Sequence, residues 1–433
     1  MSERTRGDAG REPAGIERAI LVGVQDLEGR GRRSMRELIE LTKTAGASVV
    51  GLVTQERDKP DARTFIGAGK LEELRHEVLA TGADLVVFNG ELSPVQNRNL
   101  VNALDCKVID RTELILDIFA QHARTREGKL QVELAQARYS LPRLAGRGRM
   151  MDRIGGTGAG AGIGVRGPGE TKIDVERRTL RQRIQRLEAE IEEVRQRRAV
   201  ARSARRRSGL PAVSLVGYTN AGKSTLLNAL AGSREVSTRD RLFETLDPTT
   251  RRIELDEGRH CLVTDTVGFI QDLPHQLVAA FQATLEEVTE ADLLLHVVDA
   301  AWPAAHEQYE AAAGVLQELG AAQIPTIVAL NKIDQVSSER KLQILQSRIP
   351  NTIRISALEG TGLDDLRRRM ADLLFAHLIE VTLHIPYDRM ELMELLNVRG
   401  HVSVTKYEPE YVVTHAEVDE PTLAQVRDLV VNE

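Results

Sequence analysis

The run AVSLVGYTNAGKSTLLNAL carries residues at a spacing that binds phosphate groups, G-x-x-x-x-G-K-S at Gly217, Gly222, Lys223 and Ser224. Apolar residues before the first glycine predict a buried strand, and the residues after the serine predict a helix. In this arrangement the backbone N–H groups of the loop bind phosphate oxygens, Lys223 spans the β- and γ-phosphates, and Ser224 Oγ ligates Mg²⁺. The pattern therefore predicts a nucleoside triphosphate site.

Two further strings have residue types that could complete this site. HCLVTDTVGF contains Asp265 and Gly268 at the end of a predicted strand. There, a carboxylate can hold Mg²⁺ through water, and a glycine N–H can meet the γ-phosphate. TIRISAL brings Ser356 and Ala357, whose backbone N–H groups could meet guanine O6. Both strings lie where ligands bind in α/β proteins, at the carboxyl ends of strands.

The string IPTIVALNKID predicts which base the site binds. It ends with Asn331, Lys332 and Asp334 in the pattern N-K-x-D. The Asp334 carboxylate can accept hydrogen bonds from both N1–H and the 2-amino group of guanine, which adenine cannot supply. Lys332 is expected to cover the base with its aliphatic stem, and Asn331 to tie the segment to the phosphate loop. The pattern favours GTP over ATP.

The elements that must position these residues are predicted to form an α/β protein of four domains. Alternating apolar strands and helical patterns in residues 1–111 predict an N-terminal α/β domain with a parallel sheet. Residues 112–208 predict a helical coiled-coil hairpin, 209–376 the P-loop domain for GTP, and 377–433 a small α+β domain. The string GAGK at residues 67–70 lacks the first glycine and the hydroxyl residue of a phosphate loop, so we interpret it as a helix start.

The predicted hairpin is basic and has a glycine-rich tip. Residues 155–169 contain 8 glycines in 15 positions, which predicts a mobile loop, and Pro142 is expected to end the helix before it. Residues 138–207 contain 19 Lys and Arg against 8 Asp and Glu, so this part has 11 excess positive charges in a chain of net charge −6. The excess predicts binding to a polyanion such as RNA, the alternative being a solvated helix face. The apolar seams of the two helices are Leu130, Leu134, Ala137 and Leu141, and then Ile173, Leu180, Ile184, Leu187, Ile191 and Val194.

The composition is that of a folded globular protein. The 433 residues are 42% hydrophobic and 28% charged, which argues against wholesale disorder, and no segment approaches the ~18 apolar residues of a membrane span. The polar N-terminus and the two cysteines are typical of a chain kept in a reducing compartment. We therefore expect a cytoplasmic protein with no membrane span. Separately, we expect a monomer.

The strings GYTNAGKSTLLNAL, LFETLDPTTRRI, DTVGFI and NKID, with RGPGETKID upstream, resemble the HflX family of ribosome-associated GTPases. The resemblance implies that Thr245 ligates Mg²⁺ beside Ser224, although Thr249 and Thr250 are alternatives from the residues alone. It also implies that Asn220 helps to hold K⁺ near the phosphates. The four strings and this resemblance together assign as nucleotide-contacting Gly217, Tyr218, Thr219, Asn220, Ala221, Gly222, Lys223, Ser224, Phe243, Glu244, Thr245, Leu246, Asp247, Asp265, Thr266, Val267, Gly268, Asn331, Lys332, Ile333, Asp334, Ser356, Ala357 and Leu358.

The residue after D-x-x-G is Phe269, where many GTPases have a glutamine that orients the attacking water. No side chain is therefore assigned a catalytic role, and we expect slow hydrolysis that a partner stimulates. The resemblance implies that this partner is the large (50S) ribosomal subunit with its rRNA, and that the protein separates stalled or inactive ribosomes under stress. An RNA-remodelling module with a passive nucleotide site is the alternative, and the guanine-selecting pattern disfavours a small-molecule kinase.

Overall fold

The computed structural model describes residues 16–25, 30–57, 59–154, 172–207, 210–232, 243, 247–256, 259–270, 282–376, 378–418 and 420–431. The described residues divide into two compact units. The first unit contains Met1–Ala123 and Lys129–Glu188, and the second contains Arg124–Gly128 and Ala189–Glu433. None of the described helices is long and apolar enough to cross a lipid bilayer.

The first unit contains the predicted parallel sheet, with strand order β2-β1-β3-β4. Its third strand is buried at all four positions, as expected for a parallel strand covered on both faces. Two helices that the sequence patterns did not predict follow the third and fourth strands, and Ser93 and Gln96 form a capping box at the start of the first of them. The elements are β1 Arg18–Gln25, α1 Arg30–Thr44, β2 Ser48–Glu56, α2 Ala68–Thr81, β3 Leu85–Phe88, α3 Pro94–Leu104, β4 Lys107–Asp110 and α4 Arg111–His122.

Two long helices occupy the predicted hairpin region, α5 Arg126–Ile154 and α6 Lys172–Arg207. Within the first unit they are joined by the ion pairs Arg138–Glu188 and Arg183–Glu133. In the seam, Leu187 and Leu134 are buried, as the helical spacing predicts. The glycine-rich loop at residues 155–169 lies outside the described residues.

The expectation that Pro142 ends the first helix is wrong, because α5 continues for three turns beyond it. A proline lacks the N–H group that would bond one turn back, and it usually breaks a helix. Here Arg143 supports the affected turn. Its Nη1 donates to the Tyr139 carbonyl at 3.1 Å, its guanidinium carbon lies 3.4 Å from the Tyr139 ring centroid, and its Nη2 donates to Asp110 at 3.0 Å. These contacts join the turn that follows Pro142 to the sheet of the first unit.

The second unit contains a six-stranded sheet in the order β10-β9-β8-β5-β7-β6, in which only the β6–β7 pair is antiparallel. This is the predicted P-loop α/β domain with a mixed sheet, and β5, which leads into the phosphate loop, lies inside the sheet. The elements are β5 Ala212–Gly217, α7 Lys223–Leu230, β6 Thr249–Glu254, β7 His260–Asp265, α8 Gln282–Thr289, β8 Leu293–Asp299, α9 Ala305–Glu318, β9 Thr326–Asn331, α10 Glu339–Arg348, β10 Thr352–Arg354 and α11 Leu363–Leu374.

A small α+β part completes the second unit, as predicted. Its antiparallel sheet has the order β11-β13-β12, and the buried residues of β13 alternate with less buried ones, the pattern of a sheet covered on one face. The elements are β11 Ile379–Pro386, α12 Glu391–Arg399, β12 Gly400–Tyr407, β13 Tyr411–Val418 and α13 Glu420–Val426.

Candidate nucleotide-binding site

The phosphate loop joins the carboxyl end of β5 to the N-terminus of α7, so its backbone N–H groups face the edge of the sheet where the other predicted strings also end. Gly222 precedes the helix with φ of +93°. A side chain at this position would be strained, and its Cβ would overlap with Asn331 Nδ2. Glycine is therefore required here both by backbone conformation and by the closeness of Asn331.

Lys223 lies inside the phosphate loop rather than in solvent. Its Nζ donates to the carbonyl oxygens of Gly217 at 3.1 Å and Tyr218 at 2.9 Å, and the residue is 7% exposed. Burial lowers the pKa of the Lys223 ammonium to about 8, and nearby Asp265 opposes this shift. The buried ammonium is stabilised by two carbonyl dipoles and the Asp265 carboxylate. A phosphate oxygen bound in this loop would stabilise its positive charge further.

Ser224 and Asp265 lie together at the start of α7 and the end of β7. Ser224 Oγ donates to Asp265 Oδ2 at 2.7 Å, and Asp265 is 1% exposed. A hydroxyl and a carboxylate are hard oxygen ligands of the type that Mg²⁺ takes alongside water and phosphate oxygens, so the two residues fit this ion. Within the described ranges, no group of three or more His, Cys, Asp or Glu side chains could hold a metal by itself.

Phe269 connects the D-x-x-G segment to the phosphate loop through its backbone. Its N–H donates to the Gly217 carbonyl at 3.0 Å, and its carbonyl accepts from Thr219 N–H at 2.8 Å. The side chain is 3% exposed. At the preceding position, Gly268 lies against Thr219 and Lys223. The residue in the usual glutamine position thus holds two loops together and has no polar side-chain group.

Asn331 joins the N-K-x-D segment to two other loops. Its Nδ2 donates to the Ala221 carbonyl of the phosphate loop at 2.9 Å, and its Oδ1 accepts from Ala357 N–H at 3.0 Å. The residue is 2% exposed, so both halves of its amide are buried and hydrogen-bonded. A single side chain therefore fixes the phosphate loop, the N-K-x-D segment and the loop after β10 relative to one another.

The side chains expected to contact the base are held by neighbouring polar groups. Ser356 Oγ donates to Asp334 Oδ1 at 2.6 Å. Lys332 has a left-handed backbone with φ of +61°, and its Nζ lies 2.8 Å from Asp299 Oδ2. Asp299 was missed by the sequence reasoning, although it ends the apolar run ADLLLHVVDA and pairs with Asn331 across β8 and β9. Its position at a strand end was the available signal.

The segment that resemblance assigns as a switch is described only at its two ends. Phe243 is buried, at 2% exposure, with φ of +60°. Asp247 directs its carboxylate to backbone N–H groups in residues 124–125, at the start of α5. Glu244, Thr245 and Leu246 lie outside the described residues.

The other predicted contacts fall into buried and exposed sets. Tyr218, Thr219, Ala221, Thr266 and Val267 are buried within the loops, and Thr266 Oγ1 donates to the carbonyl of Leu215 in β5 at 2.6 Å. Asn220 is exposed, with φ of +60°. Leu358 is 63% exposed, and Ile333 opens the short 3₁₀ turn Ile333–Gln335.

Three family models match consecutive parts of the chain. Residues 32–120 match a GTP-binding GTPase N-terminal region, and residues 122–205 match a GTP-binding GTPase middle region. Residues 212–332, which contain the phosphate loop and the N-K-x-D segment, match a 50S ribosome-binding GTPase.

Similar proteins cover nearly the whole chain. The GTPase HflX of Caldanaerobacter subterraneus subsp. tengcongensis is 45% identical over 416 residues, which cover 96% of this chain and 94% of the relative. The GTPase HflX of Escherichia coli strain K12 is 44% identical over 371 residues, 86% of each chain. A GTP-binding protein of the archaeon Sulfolobus solfataricus, solved with GDP, is 26% identical over 83% of this chain and 99% of that one, with a TM-score of 0.45. With such identity over most of its length, the chain belongs to the HflX family of GTPases.

Proposed function

We propose that this GTPase binds the large ribosomal subunit in its GTP state, separates the subunits of stalled or inactive ribosomes under stress, and leaves after hydrolysis. The match of residues 212–332 to a 50S ribosome-binding GTPase supports the choice of partner. The loss of the γ-phosphate would remove the contacts that hold the GTP state, as in other switches of this class. The protein then acts in the cytoplasm as a monomer that is partly ribosome-associated.

In this proposal Asp334 binds guanine and Lys223 binds the phosphates. Mg²⁺ held by Ser224 and Thr245 directly, and by Asp265 through water, would neutralise charge on the β- and γ-phosphates. Asn220 would help to hold K⁺ beside the same phosphates. If turnover is equally fast when Na⁺ replaces K⁺, the potassium part of the proposal fails.

Phe269 is the observation that carries the partner dependence. Because it has no polar side-chain group and its backbone is bonded to Gly217 and Thr219, it cannot orient an attacking water as glutamine does. Hydrolysis by the isolated protein is therefore slow. A partner that supplies or reorders a catalytic group would raise the hydrolysis rate, since such groups contribute a factor of about 10³–10⁵ to kcat in this class.

The basic hairpin supplies the contact to rRNA in this proposal. In α6, ion pairs with carboxylates include Arg183, Arg195, Arg197 and Arg198. Three of these pairs use carboxylates outside residues 138–207, namely Glu133, Glu286 and Glu127, and they offset only part of the 11 excess positive charges of that range. The net field therefore still attracts a polyanion. Tyr139 is the one aromatic residue in that range and is buried, which favours phosphate contact over base stacking.

Two measurements on the full chain test the proposal. The first is the GTP hydrolysis rate with and without 50S subunits, and the second is the sedimentation of 70S particles with the protein and GTP, with GDP as the control. We expect 50S subunits to raise the hydrolysis rate. We also expect the protein to convert 70S particles into subunits with GTP but not with GDP. If neither the rate nor the 70S peak responds, the ribosomal function is wrong.

A variant that lacks residues 155–169 separates the proposal from an RNA-remodelling module with a passive nucleotide site. The deletion should leave basal hydrolysis unchanged and abolish the response to 50S subunits. RNA binding that is independent of GTP in the intact chain would favour the passive module.

A further inference from the structure

Asp247 binds the start of helix α5 with both oxygens of its carboxylate. Oδ2 accepts from the backbone N–H groups of Arg124 at 2.9 Å and Thr125 at 2.8 Å, and Oδ1 accepts from Thr125 Oγ1. Thr125 Oγ1 in turn accepts from Gly128 N–H at 3.0 Å, so it caps the helix. An added Cβ at Gly128 would overlap with Asp247 Oδ1. We name these contacts the α5 clasp.

A second set of contacts joins the same end of α5 to α6 and α8. Arg198 lies 2.6 Å from Glu127, and Arg195 Nε lies 2.8 Å from Glu286 in α8. Burial raises the pKa of the Glu127 carboxyl, Arg198 opposes the shift, and the carboxylates of Glu286 and Asp247 add to it. The first turn of α5 therefore lies in the electrostatic field of two further carboxylates. Asp247 follows the phosphate loop in the chain, and Glu286 follows the D-x-x-G segment.

Asp247 is close in the chain to the threonine that would ligate Mg²⁺. Asp247 is two residues after Thr245, and two residues span at most about 7 Å. A chain anchored at Asp247 has fewer conformations to lose when Thr245 binds Mg²⁺ than a chain that is free there. The α5 clasp would therefore favour GTP, which has the γ-phosphate beside the proposed Mg²⁺ site, over GDP, which lacks it.

We propose that Asp247 is a positioning residue that couples the nucleotide site to the helical hairpin through the start of α5. GTP tightens the α5 clasp and orders the first turn of the helix, and by thermodynamic reciprocity a partner that holds this turn increases the affinity for GTP. The coupling rests on the GTP-dependent switching of the proposed function. It would carry the nucleotide state into α5, one of the two helices of the arm proposed to contact rRNA.

Amide hydrogen exchange of the full chain tests the proposal without ribosomes. Exchange in residues 126–131 is compared with GDP and with a non-hydrolysable GTP analogue, and the affinities of both nucleotides are measured by competition with a fluorescent GDP. We expect slower exchange of these residues with the GTP analogue. In Asp247→Ala that difference disappears, and the preference for the GTP analogue over GDP falls roughly tenfold, about 1.4 kcal/mol.

Three variants separate coupling from simple damage. Asp247→Asn keeps oxygen and loses charge, so its effect should be intermediate. Gly128→Ala displaces the Asp247 carboxylate, and alanine has a higher helix propensity than glycine. This variant should therefore lower the preference for GTP without destabilising the helix itself. Asp365→Ala removes an exposed carboxylate paired with Arg368, and it should change neither readout.

The outcomes distinguish failure of the clasp from failure of the switch. If the phosphate loop responds to the GTP analogue but residues 126–131 do not, the clasp proposal is overturned and the proposed function survives. The same holds if Asp247→Ala keeps the full nucleotide response or gains GTP preference. If no segment of the chain distinguishes the GTP analogue from GDP, both proposals fail.

Discussion

Replacement of Asp334 by asparagine should reverse the base preference of the site. Ser356 Oγ donates to Asp334 Oδ1 at 2.6 Å, and Ser356 is fully buried. In Asp334→Asn the amide oxygen can keep this bond, which turns the new NH₂ group toward the base. The NH₂ group would then face the N1–H and 2-amino donors of guanine, whereas the 2-carbonyl of xanthine could accept from it.

The size of the effect follows from the bonds that change. A hydrogen bond to a charged group contributes about 1.5–3 kcal/mol, and Asp334 is expected to accept two from guanine. Loss of even one strong bond, with two donors left facing each other, should cost about 3 kcal/mol. This corresponds to roughly a hundredfold weaker GTP binding, and XTP should become the better ligand.

The assay is competition of GTP, XTP and ATP against a fluorescent GDP or XDP, followed by steady-state turnover of the preferred triphosphate. Asp365→Asn is the matched control, since this exposed aspartate forms an ion pair with neighbouring Arg368 in the same helix. The reasoning is refuted if Asp334→Asn retains the GTP-over-XTP preference of the unsubstituted protein. It is also refuted if the unsubstituted protein binds ATP as tightly as GTP.

Three further outcomes are expected. Burial lowers the pKa of Lys223 to about 8, so the unfolded chain binds more protons than the folded chain between pH 8 and 10.5. Calorimetry of the nucleotide-free protein should therefore show that the free energy of unfolding rises over this range. The affinity for GDP should fall over the same range, because the Lys223 ammonium loses its charge. Pro142→Ala should restore a backbone bond and slow amide exchange in the middle of α5, with a gain of about 1–3 kcal/mol. Gly222→Ala should weaken GDP binding at least tenfold in competition assays, because its Cβ displaces Asn331 and the backbone there has positive φ.

The strand ends were predictable because they follow from local patterns and one rule of topology. Apolar runs that end in Gly217, Asp265 and Asn331 predict strands, and parallel strands bring their carboxyl ends to one edge of a sheet. The interpretation of GAGK as a helix start agrees with α2, which begins at Ala68. These inferences needed only the types and spacing of nearby residues.

The contacts that the sequence did not reveal depend on residues far apart in the chain. Pro142 lies inside a helix, and the next residue, Arg143, bonds to Asp110, 33 positions away. Asp247 binds Thr125, 122 positions away, and no local pattern distinguishes that aspartate from one that faces a nucleotide. Local propensity predicts what a segment favours by itself, and such long-range bonds can override it.

The buried state of Phe269 limits where any control of hydrolysis can act. Its N–H and carbonyl are committed to Gly217 and Thr219, and its side chain is packed inside the domain, so exchange for a polar residue would bury an unsatisfied group rather than create a water-orienting one. The side chain at this position therefore cannot raise the rate, and under the proposed function the faster rate comes from a group brought by a partner or from movement of the segments around the phosphates. The α5 clasp holds Asp247, at the end of one of these segments, from outside the site. It offers a physical route by which a partner bound to the hairpin could change the rate without touching the nucleotide.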